Sequence, residues 1–225
     1  MNGMLKIADG LDSVVRRVGM GFAWLVVPLI LIIVFDVVTR KIDYTRLMFS
    51  DFTQQSGYSV STILQDMQWH LHGAILLMSF GLGYLANAHV RVDVFRELTP
   101  RRTQARMEFW GLLLFALPSL LILIWYSFVL WSISYAANEG SESMTGVSYR
   151  WVIKFFLPIG FIVLLSAVAV TMIRLYAYLR GSDQEAQDAL DRLEIFADDN
   201  AALEAARLEA ERALQAEAEA AKKGR

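Results

Sequence analysis

Four long apolar stretches constrain this chain more than anything else in it. Residues 18–38 carry Asp36 as their only charge, and residues 69–88 contain no Asp, Glu, Lys or Arg. Residues 109–137 are uncharged, and the run 155–173 extends through aromatic residues to Tyr178. A helix needs about 20 residues to cross a bilayer. Backbone polar groups in lipid must be satisfied internally, so helices are expected. A barrel would need alternating segments of about 10 residues, and these runs are continuous. The expected fold is all-α: an integral membrane four-helix bundle with spans at 18–38, 69–88, 109–137 and 155–178. Pro28 and Pro118 lie inside the first and third runs. Each removes a helix hydrogen bond and predicts a kink. Trp69, Trp110, Trp125, Trp131 and Trp151 lie near span ends, where interfacial aromatics collect. The first run is longer than a signal core and continues into Asp-Val-Val-Thr-Arg-Lys, which reads as an uncleaved anchor.

Composition narrows the function classes. The chain has 225 residues, 56% of them hydrophobic, and no cysteine. That excludes a disulfide-stapled fold, a cysteine zinc site and a cysteine nucleophile. Residues 1–182 hold 15 Lys and Arg against 11 Asp and Glu, whereas residues 183–225 hold 6 against 12. The small basic excess sits between apolar runs, unlike the stripe of a nucleic-acid binder.

Between the spans, the 39–68 segment reads as a polar outward loop with Leu47, Met48, Phe49 and Phe52 placed for the membrane surface. The 89–108 segment is basic. Its arginines fit topology and anionic lipid, or a docking surface for a partner. Thr99 and Pro100 read as the N-cap and first residue of a helix. Residues 1–17 form an N-terminal segment, and residues 181–225 a charged, acidic amphipathic helical tail. Ser182 and Glu185 have capping-box spacing at its start. Its apolar stripe does not continue as a heptad, so a solvated helix is expected rather than a coiled coil.

Few residues offer chemistry. His70, His72 and His89 all lie on or beside the second run, so two spans cannot clamp a haem between them. Asp36 is the one acid within a span, and intramembrane acids often mark ion paths. Arg40 stands four residues on, and an ion pair explains Asp36 without transport chemistry. Lys154 and Arg174, near opposite ends of the fourth run, are expected to snorkel to headgroups. Gly19 with Ala23, Ser79 with Gly83 and Ala167 with Thr171 offer small-residue spacing for helix packing. No cofactor or metal site is expected, and the centres of the spans offer no broken helix for a substrate. The chain reads as an accessory helical body that packs against something larger.

Particular stretches carry a resemblance. LQDMQWHLHGAILLMSFGLGYLANAHVRVDVF (Leu64–Phe95) resembles the second helix and following loop of the small, DctQ-type membrane subunit of tripartite ATP-independent periplasmic (TRAP) transporters. His89 to Asp93 falls where that family has a His-x-x-x-Asp signature. RRTQARMEFWG (Arg101–Gly111) follows at the family's distance, and GSESMTGVSYRWVIKFFLPIGF (Gly140–Phe161) is similar to its outer loop and helix start. The resemblance covers roughly residues 15–180, and its wording is most like the subgroup labelled mannitol/chloroaromatic. One departure is Asp66, where the family pattern has Glu, which keeps the charge and shortens the reach.

The resemblance implies a non-enzymatic, small permease subunit in a bacterial inner membrane. It would pack as a scaffold against a large transport subunit that takes up an organic acid on an ion gradient. A periplasmic receptor would deliver the solute. Membrane lipid is the other implied partner, and nucleic acid is not. The structural or interface candidates are Asp66, Trp69, His89, Arg91, Asp93, Arg150, Lys154 and Pro158. Arg91 and Asp93 would fix the cytoplasmic end of the second helix. Arg150 and Lys154 would lie near the outer face where the receptor docks, with a loop-fixing salt bridge or lipid contact as the other reading. The alternative function is the membrane anchor of a redox enzyme complex.

Orientation follows from Lys and Arg in short loops. Lys6, Arg16, Arg17, the arginines between 91 and 106, Arg174 and Arg180 collect on one side, ten in all, against Arg40, Lys41, Arg46, Arg150 and Lys154 on the other. Both termini are therefore expected in the cytoplasm. A reporter active only outside the cytoplasm, fused after Arg225, should be silent; activity there would invert the topology.

Overall fold

The computed structural model describes residues 2–88 and 99–196, and all regular structure among them is helical. The helices are α1 (Asn2–Ala23), α2 (Val26–Lys41), α3 (Asp43–Ser56), α4 (Val60–Leu85), α5 (Arg101–Gly111), α6 (Leu117–Ala136), α7 (Trp151–Arg180) and α8 (Asp183–Asp191). A π-helical turn, Leu112–Ala116, joins α5 to α6, and a 3₁₀ turn, Glu194–Phe196, follows α8.

Three of these helical rods are long and apolar enough to cross a membrane: Gly3–Lys41, Arg101–Ala136 and Trp151–Arg180. Four were expected. The difference is α4, which has the length at 26 residues. Gln68, His70 and His72 dilute its apolar character.

The prolines act where their chemistry predicts. Pro28 has no N–H for the Trp24 carbonyl, and its ring crowds that oxygen. The chain breaks there into a turn, with the Val27 N–H reaching the Trp24 oxygen at 3.1 Å, three residues back instead of four. The first expected span is thus two helices, α1 and α2, and α1 takes in the N-terminal segment. Pro118 stands four residues after Leu114, inside the π-helical turn, which absorbs the missing bond. Pro158 is buried inside α7 without breaking it.

Several expected loops are ordered by their caps. Residues 43–56, read as loop, form α3, which Gly57 ends at φ +77°, its N–H donating to the Thr53 oxygen at 2.9 Å. Ser59 caps α4 by accepting from the Thr62 N–H at 3.4 Å. α4 and α6 end alike, on Asn87 and Asn138 at φ 50° and 46°. Asparagine tolerates that left-handed region better than most residues. α5 starts one residue later than expected. Pro100 is its N-cap, and Gln104 Nε2 donates back to the Thr99 oxygen at 2.9 Å.

α7 is the central helix, packed against α4, α6, α1, α8 and α5. Its contact with α4 is made by glycine. A Cβ at Gly160 would lie 2.8 Å from the Leu77 carbonyl oxygen, and one at Gly81 would lie 2.8 Å from both Val15 and Val163. These positions let backbones approach closely, as small residues do in membrane packing. The Gly19 site is equally tight against Leu82, and Ala167 and Thr171 are buried, but nothing lies within 4 Å of a Cβ at Gly83. Gly83 therefore leaves room for a side chain among the described residues.

The tail corrects a second expectation. Ser182 and Glu185 do form the capping box, but α8 ends at Asp191 and is solvated on one face only, with Asp183, Gln184, Gln187, Asp188 and Asp191 exposed. Ala189, Leu190, Leu193 and Phe196 are buried, the last three in one core with Ala105, Leu112, Leu120, Val168 and Leu175. The expected continuation of the tail beyond 196 lies outside the described residues.

Two glycines give opposite predictions. Gly160→Leu should overpack the α4–α7 contact, costing about 1–3 kcal/mol and lowering the thermal midpoint in detergent. Gly83→Ala should leave the midpoint unchanged or raise it, since it adds helix propensity in open space. Equal loss in both would remove glycine-mediated packing as the explanation.

Candidate functional site

Charged and polar side chains gather at the two ends of the molecule. One end, here the loop end, holds the close of α2, the start of α4 and the α6–α7 connection. The other, the terminal end, holds the start of α1, the close of α7 and α8.

At the loop end, Asp36 is 5% exposed. It accepts from Arg40 Nε at 2.9 Å and Nη2 at 2.8 Å, the i,i+4 pair expected from the sequence. Gln68 of α4 adds a third bond to Asp36 at 3.3 Å, which ties α2 to α4. Gln65 accepts from Arg40 Nη1 at 2.9 Å when its amide oxygen faces that group. These two glutamines were not singled out from the sequence. Their only signal there is a polar pair spaced i,i+3 at the head of an apolar helix.

Asp66 reaches across to the α6–α7 connection. Its Oδ2 accepts from the Val147 backbone N–H at 2.9 Å, so the shorter acid still makes a pairing. A Cβ at Gly146 would sit 2.3 Å from that oxygen, so glycine is what lets Asp66 in. The Ser59 N–H donates to the Thr145 oxygen at 3.0 Å beside it.

Arg150 and Lys154 hold the same connection from α7. Arg150 Nη1 pairs with Glu142 at 2.8 Å. That hydrogen bond raises the guanidinium pKa above its ordinary value, with Glu142, Glu139 and Asp66 adding to it against partial burial. Lys154 Nζ donates to Glu139 at 2.5 Å and to Ser134 Oγ at 2.9 Å. The Lys154 bond, then that of Ser134, holds the Glu139 carboxyl below its usual range. Lys154 thus turns into the protein instead of snorkelling. Trp69 is 78% exposed, on the rim of a cleft of about 520 Å³ that also borders Asp66, His70, Glu142 and Arg150. His70 Nδ1 is 2.5 Å from the Asp66 carbonyl oxygen.

The sequence candidates divide accordingly. Asp66, Trp69, Arg150 and Lys154 meet at the loop end. Pro158 lies one turn further into α7, away from that cluster. His89, Arg91 and Asp93 lie outside the described residues. Among the described residues no group of three His, Asp or Glu is placed to hold a metal ion.

The terminal end was not legible in advance. Arg174, expected at the headgroups, is 6% exposed. Its Nη2 lies 3.2 Å from Asp9 and 3.7 Å from Asp12 of α1. Its Nη1 donates to the Arg192 carbonyl oxygen at 3.1 Å. Arg192 also pairs with Asp9, and Arg16 links Asp12 at 3.2 Å to Glu194 at 3.7 Å. Three guanidinium groups and three carboxylates therefore bind α1, α7 and the α8 segment together. The available signal was Asp9, Asp12 and Arg16 on one face of an amphipathic helix, opposite an arginine inside an apolar run.

The model of the family described as "Tripartite ATP-independent periplasmic transporters, DctQ component" matches residues 29–177. No curated protein and no solved structure matches the chain.

The terminal network predicts an asymmetry. Asp9→Asn with Asp12→Asn strands a buried guanidinium and should cost about 3–5 kcal/mol. Arg174→Met leaves two carboxylates that water can reach and should cost less. Tryptophan-monitored unfolding in detergent separates the two, and equal midpoints would show Arg174 to be hydrated.

Proposed function

We propose a function from one premise: the chain belongs to the DctQ component family of tripartite ATP-independent periplasmic transporters, as a small membrane subunit. In this reading it is a static brace. It packs against the large membrane subunit, which moves the solute on an ion gradient, and a periplasmic receptor delivers that solute, an organic acid or related compound. It sits in the bacterial inner membrane with four crossings, α4 being the fourth, and both termini in the cytoplasm.

One observation carries the bracing role: charged groups at the span ends and hydroxyls inside the apolar helices are paired within the protein. Its ionised residues at the span ends pair with one another, as Asp36 does with Arg40 and Lys154 with Glu139. Hydroxyls within the apolar helices turn back on their own backbone. Ser127 donates to the Ile124 oxygen at 2.8 Å, Ser166 to Ile162 at 2.9 Å and Thr171 to Ala167 at 3.3 Å. A translocation path needs polar groups near the midplane aimed at a substrate. Residues 111–138 and 155–173 contain no Asp, Glu, Lys, Arg or His. The outward faces of α2 and α6 are instead apolar, with Ile30, Leu31, Phe35, Leu121, Ile122 and Trp125 exposed. They suit lipid and a large hydrophobic partner.

The test has two arms. The chain should co-purify in detergent with a large permease encoded beside it, and vesicles holding that permease and its receptor should lose most uptake when this subunit is omitted. Uptake unchanged by the omission, or solute transport by this subunit reconstituted alone, would overturn the bracing role.

A further inference from the structure

A second feature of the loop end has no part in the bracing role. α3 is two-faced. Tyr44, Leu47, Met48 and Phe52 lie on one side and are exposed. Arg46, Phe49, Ser50 and Thr53, spaced i, i+3, i+4 and i+7, line the other side. That second side faces the close of α2 and the start of α4 across a cleft of about 180 Å³, bordered also by Thr39, Arg40, Ser59 and Ser61. Two guanidinium groups and a set of hydroxyls therefore converge on a space large enough for a phosphate. The first turn of the 26-residue α4 opens onto the same cleft, and its free N–H groups favour an anion.

The two arginines differ in freedom. Asp36 and Gln65 hold Arg40 in place. Among the described residues Arg46 pairs with Asp43, at 3.0 Å, with side chains 67% and 84% exposed. Such an exposed pair is weak, so Arg46 can turn to a better partner. Leu31, Ile32, Val34, Phe35 and Val38 line a shallow apolar groove on α2, and Val38 precedes Thr39 of the cleft in sequence. A hydroxyl-lined cleft bordered by two arginines, with an apolar groove further along the same helix, matches a molecule with a phosphate at one end and hydrocarbon at the other. Arginine's planar fork suits phosphate oxygens in particular.

We propose that the cleft between α2, α3 and α4 is a binding site for the phosphate of a membrane phospholipid, with Arg46 as the closing donor and the acyl chain along the α2 groove. The site depends on the chain being in a membrane and not on its bracing role. It also gives α3 a purpose: the exposed apolar face holds this helix at the lipid surface.

The experiment uses the full chain in detergent and reads bound lipid by native mass spectrometry. The probes are palmitoyl-oleoyl phosphatidylglycerol, the diacylglycerol with the same chains, and inorganic phosphate. Retention of the phospholipid should exceed that of the diacylglycerol and fall about tenfold in Arg46→Gln, the scale of one lost charge-assisted bond. Arg46→Lys should recover part of it, because the charge remains and the fork is lost. An unaltered unfolding midpoint in Arg46→Gln will show that the fold is kept. Equal retention of both lipids, or no effect of Arg46→Gln, would overturn the site. Inorganic phosphate bound as tightly as the lipid, with no lipid retained, would make it a soluble-anion site and overturn the lipid assignment.

Discussion

Lipid offers no hydrogen bonds, and this chain is arranged around that fact. Each long apolar helix satisfies its own backbone, and the side chains that bring charge to its margins must find partners inside the protein. The result is two charged ends separated by an apolar middle. Asp36, Lys154 and Arg174 all stand in or beside expected spans, and all three are paired. A buried ion pair adds little net stability over an apolar substitute, but breaking one is costly. The pairs therefore fix which helix ends stand together more than they add to the total stability.

Packing in the middle rests on a different device. Without a hydrophobic drive between helices in lipid, close approach and dispersion have to hold them. α4 and α7 meet through Gly81 and Gly160, where neighbouring atoms occupy the space a Cβ would take. α4 is less apolar than α6 and α7, and it packs against α1, α2 and α7. Its polar head, Gln65, Asp66 and Gln68, is engaged in bonds to α2 and to the α6–α7 connection.

What the sequence made legible was local. Asp36 with Arg40 and Ser182 with Glu185 are each spaced for contact within one helix or at its cap, and both contacts form. Pro28 and Pro118 marked the break and the π-helical turn, because proline's effect lies within four residues of itself. Partnerships across distance were hidden. Arg174 and Asp9 are 165 residues apart, and only the folded chain brings them within reach. Small-residue spacing flagged Gly83, where a Cβ would meet open space among the described residues, and passed over Gly81, because spacing along one helix does not say which face meets another. α3 was missed because residues 43–56 mix Asp, Thr and Gln with Leu, Met and Phe, and its limits depend on an extended Ile42 and on Gly57.

The bounds of the family match sharpen the meaning of the terminal network. Residues 29–177 take in α2 to α7 but leave out α1 and α8. Arg174 lies inside that range, whereas Asp9, Asp12, Arg192 and Glu194 lie outside it. The carboxylates that neutralise Arg174 are therefore supplied by the segment before the match, and the segment after it adds a carbonyl oxygen. An arginine left alone at that depth would carry a large desolvation cost. Asp9 and Asp12 of α1 meet that demand, and Asp9 also pairs with Arg192 just after α8. Each flanking helix also buries apolar residues against α7, Ala8 and Val15 from one side and Leu190 from the other. α1 and the segment 183–196 are thus held to one another through a single helix, and that closure keeps this end of the bundle from splaying.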